Sequence, residues 1–233
     1  MKKLVIILAV AISFGLTAQK GLPKFGADMG KKSVMGQEVR VPYTSMVSYY
    51  GYVKPGTAPD ATVGGKKMYY LYMWIPVAAP EIGIRMISPI PADMKSASTD
   101  FASDVYNANN SERSTYFDTW IALEKADGIM KPEEIASKAG SATWNTIEQN
   151  DDSSEMPKQP SGSAYNSLMR VTSEVSNPLK ALTVGLYRIA FTTYKTGEVQ
   201  GSFLAQVGAP VDIPGIVVAQ NIDAVSKLAT EKK

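Results

Sequence analysis

The densest group of acidic side chains lies at residues 150–155, which read NDDSSE. Adjacent carboxylates repel each other unless a cation lies between them, and Asp151 and Asp152 together offer four carboxylate oxygens to a metal. Calcium prefers six to eight oxygen ligands, so further ligands would have to come from elsewhere in the fold. The same residues also suit an ordinary solvated turn, and the twelve-residue loop of an EF-hand is absent. The segment alone therefore indicates either part of a calcium site or a surface turn.

The composition excludes many other kinds of site, because the sequence contains neither Cys nor His. Without Cys there is no disulfide, thiolate nucleophile or iron–sulfur cluster, and without His there is no Ser–His–Asp triad. No nucleophile elbow and no Gly-rich phosphate loop occurs either. A bound metal must therefore have oxygen ligands, as calcium or magnesium does, and no residue is a candidate for catalysis. We expect a protein that is not an enzyme.

The N-terminal residues have the features of a secretory signal peptide. Lys2 and Lys3 precede an apolar run at residues 4–16, which ends in the sequence LTA at residues 16–18. This run of thirteen residues is too short to span a bilayer as a helix. We therefore expect residues 1–18 to be a leader that is removed near Ala18 and residues 19–233 to form a single domain of an exported protein.

Two consequences follow from this leader. A Cys after residues 16–18 would complete a lipidation signal, but Gln19 stands there and has no thiol to carry a lipid. We therefore expect no covalent lipid anchor.

Lys2 and Lys3 account for the whole formal charge of +2, which arises from 24 basic and 22 acidic residues. Since no clustered basic face remains, neither nucleic acid nor an anionic membrane is expected as a partner.

The rest of the chain has the pattern of a β protein. Alternation in the run MYYLYMWIP, at residues 68–76, puts Tyr70, Tyr72 and Trp74 on one face of a strand and apolar residues on the other. Such a strand lies between two layers, in the middle of a sheet. Its tyrosines could also form a platform for stacking carbohydrate, although aromatic residues are common in strands in any case. Further strands are predicted at residues 46–53, 82–88, 117–124 and 167–175.

The remaining predicted elements are a hairpin, three short peripheral helices and a long loop. Residues 185–207 alternate on both sides of the turn sequence KTGE and predict an antiparallel hairpin. One helical turn would be capped by Thr99 or Asp100, a second would begin at residues 131–134, and a third would cover residues 221–230. The polar residues 149–163 are predicted to be one long loop, and long ordered loops are often functional.

Several long motifs occur in the same order as in a known family. They are YYGYVKPG at residues 49–56, APD at 58–60, the run 69–76, RMISP at 85–89, FDTWI at 117–121, YNSL at 165–168, and residues 185–207 beginning GLYRI. In these motifs the sequence resembles the major outer-membrane surface lipoprotein family of pathogenic leptospires. The resemblance extends from about residue 41 to residue 207, with a looser match through the last helix.

The resemblance implies a mostly β fold, a jelly-roll β-sandwich with short peripheral α-helices. It also implies one bound calcium ion. The family's ligands lie in the FDTW motif, in an aspartate-rich loop and at the Tyr of YNSL, and these positions correspond here to Asp118 and Thr119, to Asp151 and Asp152, and to Tyr165. A shell of carboxylate, hydroxyl and carbonyl oxygens is one that calcium accepts.

The sequence departs from the family in two places. Its acidic loop is shorter, so the calcium affinity is expected in the ~0.1–1 mM range of extracellular modules. Gln19 replaces the lipidated Cys. The resemblance implies a location at the outer membrane and cell surface. Without a lipid anchor, the protein would instead be periplasmic or secreted.

The resemblance implies extracellular-matrix proteins, namely collagen, laminin and fibronectin, as partners of a surface adhesin or coat protein. Fold and site alone do not establish such a ligand. A calcium-dependent carbohydrate-binding or carbohydrate-active module is the alternative.

Overall fold

The computed structural model describes residues 32–34, 37–39, 43, 45–92, 94, 96–151, 166–195 and 197–232. The leader at residues 1–18, Gln19, Asp152 and Tyr165 lie outside the described residues, as does most of the predicted loop. The strands are β1 (Lys32–Val34), β2 (Gln37–Val39), β3 (Ser45–Val53), β4 (Ala61–Val63), β5 (Lys66–Ile75), β6 (Glu81–Ile87), β7 (Phe101–Ala102), β8 (Thr119–Ala126), β9 (Trp144–Asn150), β10 (Asn166–Thr172), β11 (Gly185–Thr193), β12 (Gly201–Ala209) and β13 (Val217–Ala219).

The helices are few and short, as expected. They are α1 (Asp104–Asn109), α2 (Ile135–Lys138) and α3 (Ile222–Glu231), and 3-10 turns at Pro132–Glu134 and Ala139–Ser141 flank α2. The second and third helices lie where the sequence predicts them. The first begins later, because Phe101 and Ala102 form β7 and the side chain of Ser103 caps α1 by accepting from the Tyr106 N–H at 3.1 Å. The prediction of Thr99 or Asp100 as the cap is therefore wrong.

Eleven strands form two sheets that face each other as a sandwich. One sheet has the order β10-β6-β12-β3-β7, and the other has the order β13-β5-β11-β8-β9 with β4 also paired to β5. Apart from the short edge strands β4, β7 and β13, the eight long strands alternate between the sheets except for β8 and β9, which are neighbours in one sheet, and the first long strand, β3, lies beside the last, β12. This is the topology of a jelly roll. The predicted fold class is confirmed.

The predicted hairpin at residues 185–207 is wrong. Its two arms are strands β11 and β12, but they belong to different sheets and face each other across the core. The rings of Phe191 and Phe203 meet between the sheets with their centroids 4.8 Å apart. Alternation fixes which side of a strand faces the core, but it does not say which strand is the partner, and both arms have an apolar face.

The strand at residues 68–76 is confirmed as β5, with Leu71, Met73 and Ile75 in the core between the sheets. Its other face is also covered, since Trp74 packs in a second apolar cluster with Val225 and Ala229 of α3. Covering on both faces explains why nearly every residue of β5 is apolar or aromatic. Strand β9 was not predicted, and its last two residues had been assigned to the loop.

Candidate metal centre

Three strand ends meet at one lateral edge of the sandwich. Strand β8 begins at Thr119 and β9 ends at Asn150 in the six-stranded sheet, while β10 begins at Asn166 in the five-stranded sheet. Strands β9 and β10 are the outermost strands of their sheets on this side. Residues that are far apart in the sequence are therefore brought to one place where the two sheets approach each other.

The closest link between the sheets at this edge joins Thr119 and Ser167. The Ser167 hydroxyl donates to the main-chain carbonyl oxygen of Thr119 at 2.7 Å, and its oxygen lies 3.0 Å from Oγ1 of Thr119. Neither residue is exposed to solvent. The hydroxyl and carbonyl oxygens of Thr119 are thus held in fixed positions by the opposite sheet.

A second link lies next to it. Asn150 pairs with Ile121 in the β8–β9 ladder, and residues opposite each other in a ladder point to the same face. The Asn150 side chain therefore turns towards the other sheet, where its Oδ1 atom accepts the N–H of Leu168 at 3.3 Å. The end of β9 is thus attached to the beginning of β10.

Two of the predicted carboxylates flank these links. Asp118 directly precedes β8, and its main-chain carbonyl accepts the N–H of Tyr194 at 3.1 Å. Asp151 directly follows β9. Both residues are half-buried, and the Oδ1 atom of each is buried, as is the side-chain oxygen of Asn166. The edge thus gathers carboxylate and amide oxygens, which are the kinds of ligand that a hard cation takes.

The structure therefore brings Asp118, Thr119 and Asp151 to one edge of the sandwich. Asp152 and Tyr165 lie outside the described residues, but each is covalently joined to a residue at this edge, namely Asp151 and Asn166. Every oxygen donor here is a carboxylate, hydroxyl, amide or carbonyl group, which is the donor set of calcium rather than of a softer metal. Within the described residues, no group of three or more acidic side chains is placed so that it could hold a metal ion.

Sequence reasoning missed Asn150, Asn166 and Ser167 at this edge. Asn166 and Ser167 follow Tyr165 within the YNSL motif, so the motif itself marked them. Asn150 was read as part of a solvated turn, because β9 is mostly exposed and lacks the apolar alternation of a typical strand.

No helix in the described part of the chain is long and apolar enough to cross a membrane.

Comparison with known proteins agrees with the motifs quoted above. The model of the family described as "Lipl32: Surface lipoprotein of Spirochaetales order" matches residues 37–218, which is most of the chain and extends from β2 into β13. A search of curated individual proteins gives no match. The family assignment supports an exported protein of the cell surface. The chain belongs to the Lipl32 family of spirochaete surface lipoproteins.

Proposed function

We propose that this surface protein is non-enzymatic and binds one calcium ion through Asp118, Thr119, Asp151, Asp152 and Tyr165. The observation that supports it is the meeting of β8, β9 and β10, which brings two half-buried aspartates and a fixed threonine to one edge. The family resemblance supplies all five residues, of which Asp118, Thr119 and Asp151 are among those that the structure describes.

Each residue would contribute a different kind of oxygen. The aspartates would provide negative charge, Thr119 would provide a hydroxyl or carbonyl oxygen held by Ser167, and Tyr165 would provide a hydroxyl or carbonyl oxygen from the start of β10. Bound calcium supplies positive charge that offsets the repulsion between neighbouring carboxylates. The chain between β9 and β10 would thereby be joined to both sheets, which gives the ion a structural role.

Calcium binding is tested by titration calorimetry on the exported form of the protein. We expect one site with a dissociation constant of about 0.1–1 mM. Asp151→Asn together with Asp152→Asn should remove the binding heat, whereas Asp223→Asn, a control at an exposed position of α3, should leave it unchanged. Unchanged calcium binding in the double variant would contradict the ligand assignment.

We further propose attachment to extracellular-matrix proteins, with collagen, laminin and fibronectin as candidates from the family resemblance. Solid-phase binding to each protein, in calcium and in chelator, tests this. Saturable binding that falls in chelator is the expected result. Equal signals on the matrix proteins and on albumin-coated wells would reject attachment and leave the role of a surface coat.

A calcium-dependent carbohydrate-binding function is the second candidate. The carbohydrate-binding part of this function, though not its calcium dependence, is favoured by a cavity lined with aromatic rings at the other lateral edge of the sandwich. A glycan array probed in calcium and in chelator separates it from matrix attachment, because only the carbohydrate-binding function predicts selective glycan signals.

A further inference from the structure

A cavity of about 360 Å³ lies between the two sheets on the side opposite the metal centre. Its walls come from β3 of one sheet and β5 of the other, with the start of α1 and the start of α3 at its rim. The metal centre lies beside β9 and β10, which are at the other ends of the same sheets. The two sites share no residue among those described.

The cavity opens where both sheets have a gap in their edge. Strand β7 pairs only with Tyr49 and Tyr50 of β3, so residues 51–53 extend beyond it. On β5, the ladder with β4 ends at Met68 and the ladder with β13 begins at Tyr72. No described strand therefore pairs with residues 69–71 on that side. The main-chain N–H of Tyr70 is bound there by a side chain instead, because it donates to Oδ2 of Asp60 at 2.8 Å.

Aromatic rings form the walls and the floor of the cavity. Tyr49 stacks on Phe203 with centroids 6.3 Å apart, Tyr69 stacks on Phe191 at 5.7 Å, and the two phenylalanines meet at 4.8 Å. Gly51 keeps this arrangement possible, because a Cβ atom there would lie 2.1 Å from the Phe203 ring. The interior is thus lined by aromatic rings that a partly apolar molecule can contact.

Polar groups surround these rings at the rim. The Tyr69 hydroxyl donates to the carbonyl oxygen of Thr57 at 2.8 Å, and the Tyr49 hydroxyl donates to Oε1 of Gln220 at 3.3 Å. Burial raises the pKa of Tyr49 to about 12, so its hydroxyl stays neutral at physiological pH and can donate or accept. Asp60 adds a carboxylate. No lysine or arginine is among the described residues that line the cavity, so the lining itself offers an anionic ligand no positively charged contact.

We propose that this cavity binds a neutral sugar ring, with one face stacked on the aromatic wall and its hydroxyls bonded to Asp60, Gln220 and the tyrosine hydroxyls. The volume lies within the range of natural small-ligand sites, near its lower end, which suits a single ring or the terminal residue of a glycan. The proposal concerns the carbohydrate alternative and is independent of the calcium ligands.

Ligand-observed NMR with neutral hexoses, N-acetylhexosamines and a uronic acid tests the proposal directly. Binding of at least one neutral sugar, and weaker binding of the matching uronic acid, is expected. Gln220→Ala and Asp60→Asn should each weaken binding about tenfold, since each removes a hydrogen bond, one of them to a charged group. Glu198→Gln, an exposed position that does not line the cavity, is the control.

Folding and calcium binding are measured on the same variants, so that a folding defect is not mistaken for a lost contact. Each cavity variant should melt close to wild type and keep its calcium-binding heat, which separates this proposal from the calcium proposal. No neutral sugar binding at millimolar concentrations, binding that both variants leave intact, or binding of proline-rich peptides in place of sugars would overturn it.

Discussion

The Ser167 hydroxyl donates to the main-chain carbonyl oxygen of Thr119 at 2.7 Å, and this hydrogen bond joins the two sheets beside the candidate metal centre. Ser167 belongs to β10 of the five-stranded sheet and Thr119 to β8 of the six-stranded sheet. Both residues are buried, so the hydroxyl has no water to replace the bond if it is lost. The candidate metal centre thus lies beside a direct contact between the two sheets.

Ser167→Ala should lower the free energy of unfolding by about 1–3 kcal/mol, because it leaves a buried carbonyl oxygen of Thr119 without its donor. It should also weaken calcium binding, since Thr119 is then held less rigidly. Urea unfolding measures the first effect and calorimetry the second. Ser137→Ala removes an exposed hydroxyl that donates to Glu134 at 3.2 Å and should change stability by less than about 0.5 kcal/mol. Equal effects of the two substitutions would contradict this role of Ser167.

Gly51→Ala should destabilise the fold by about 1–3 kcal/mol, because the added methyl group would meet the Phe203 ring and force it out of the core. Gly140→Ala is the matched control, since nothing lies within 4 Å of a Cβ there and its backbone lies in a 3-10 turn. The control should be neutral or slightly stabilising. Thermal unfolding of the two variants checks the difference, and similar melting temperatures would show that Phe203 can move freely.

Arg188→Lys should lower the free energy of unfolding by about 1–2 kcal/mol, although the charge is kept. The guanidinium lies 3.8 Å from the centroid of Tyr70 and 4.2 Å from that of Trp144, and its Nε donates to Glu124 at 2.5 Å. An ammonium group cannot stack on two rings while it keeps that hydrogen bond.

The exposed ion pair between Lys67 and Glu198 provides the comparison for Arg188. Lys67→Ala should lower the free energy of unfolding by less than about 1 kcal/mol, because the side chains of Lys67 and Glu198 are both largely solvated. A cost at Arg188 that is no larger than the cost at Lys67 would show that the ring contacts contribute little.

The pH dependence of stability should reflect the buried hydroxyl of Tyr50. Burial, with lesser contributions from Asp100 and Tyr106, raises the pKa of Tyr50 to about 12 from an ordinary value of 10.0. The neutral form is therefore favoured in the fold. Its contribution to stability is fully present below pH 10 and is lost as the pH rises towards 12.

Tyr50→Phe tests this contribution. At pH 7 the variant should be as stable as wild type or more so, because the Tyr50 hydroxyl is buried and has no hydrogen-bond partner among the described residues. Between pH 10 and 12 it should lose less stability than wild type, as thermal melts at a series of pH values would reveal. Tyr194→Phe, at an exposed position, is the control substitution. Parallel curves for Tyr50→Phe and wild type would exclude this tyrosine as a cause of alkaline destabilisation.

The sequence predicted the elements better than their pairing. The strand at residues 68–76 was identifiable because both of its faces are apolar, and the last helix was identifiable because its apolar residues recur on one side. The partner of β11 was not identifiable from the sequence. Alternation shows that one face of a strand is buried, but it does not show whether the next strand pairs with it in the same sheet or lies in the sheet across the core. The ladders of the folded chain distinguish the two arrangements, since β11 pairs with β5 and β8 while β12 pairs with β3 and β6, and Phe191 meets Phe203 across the core.

The candidate site was accessible to sequence reasoning only in part. Adjacent aspartates at positions 151 and 152 indicated a cation, but their chemistry alone did not distinguish a site from a solvated turn. Thr119 and Asp118 were found through the resemblance, because nothing in their local sequence says that β8 begins beside β10. The supporting residues Asn150 and Ser167 act through hydrogen bonds between the sheets, which are a property of the folded chain.

The most direct test of the calcium proposal is thermal unfolding of the exported protein in chelator and in excess calcium. At about 100 times the dissociation constant, calcium should stabilise the fold by about 2.7 kcal/mol through mass action. Asp151→Ala combined with Asp152→Ala should abolish this shift while the variant in chelator still melts as a folded protein. Identical melting curves for the wild type in chelator and in calcium would contradict the proposed site.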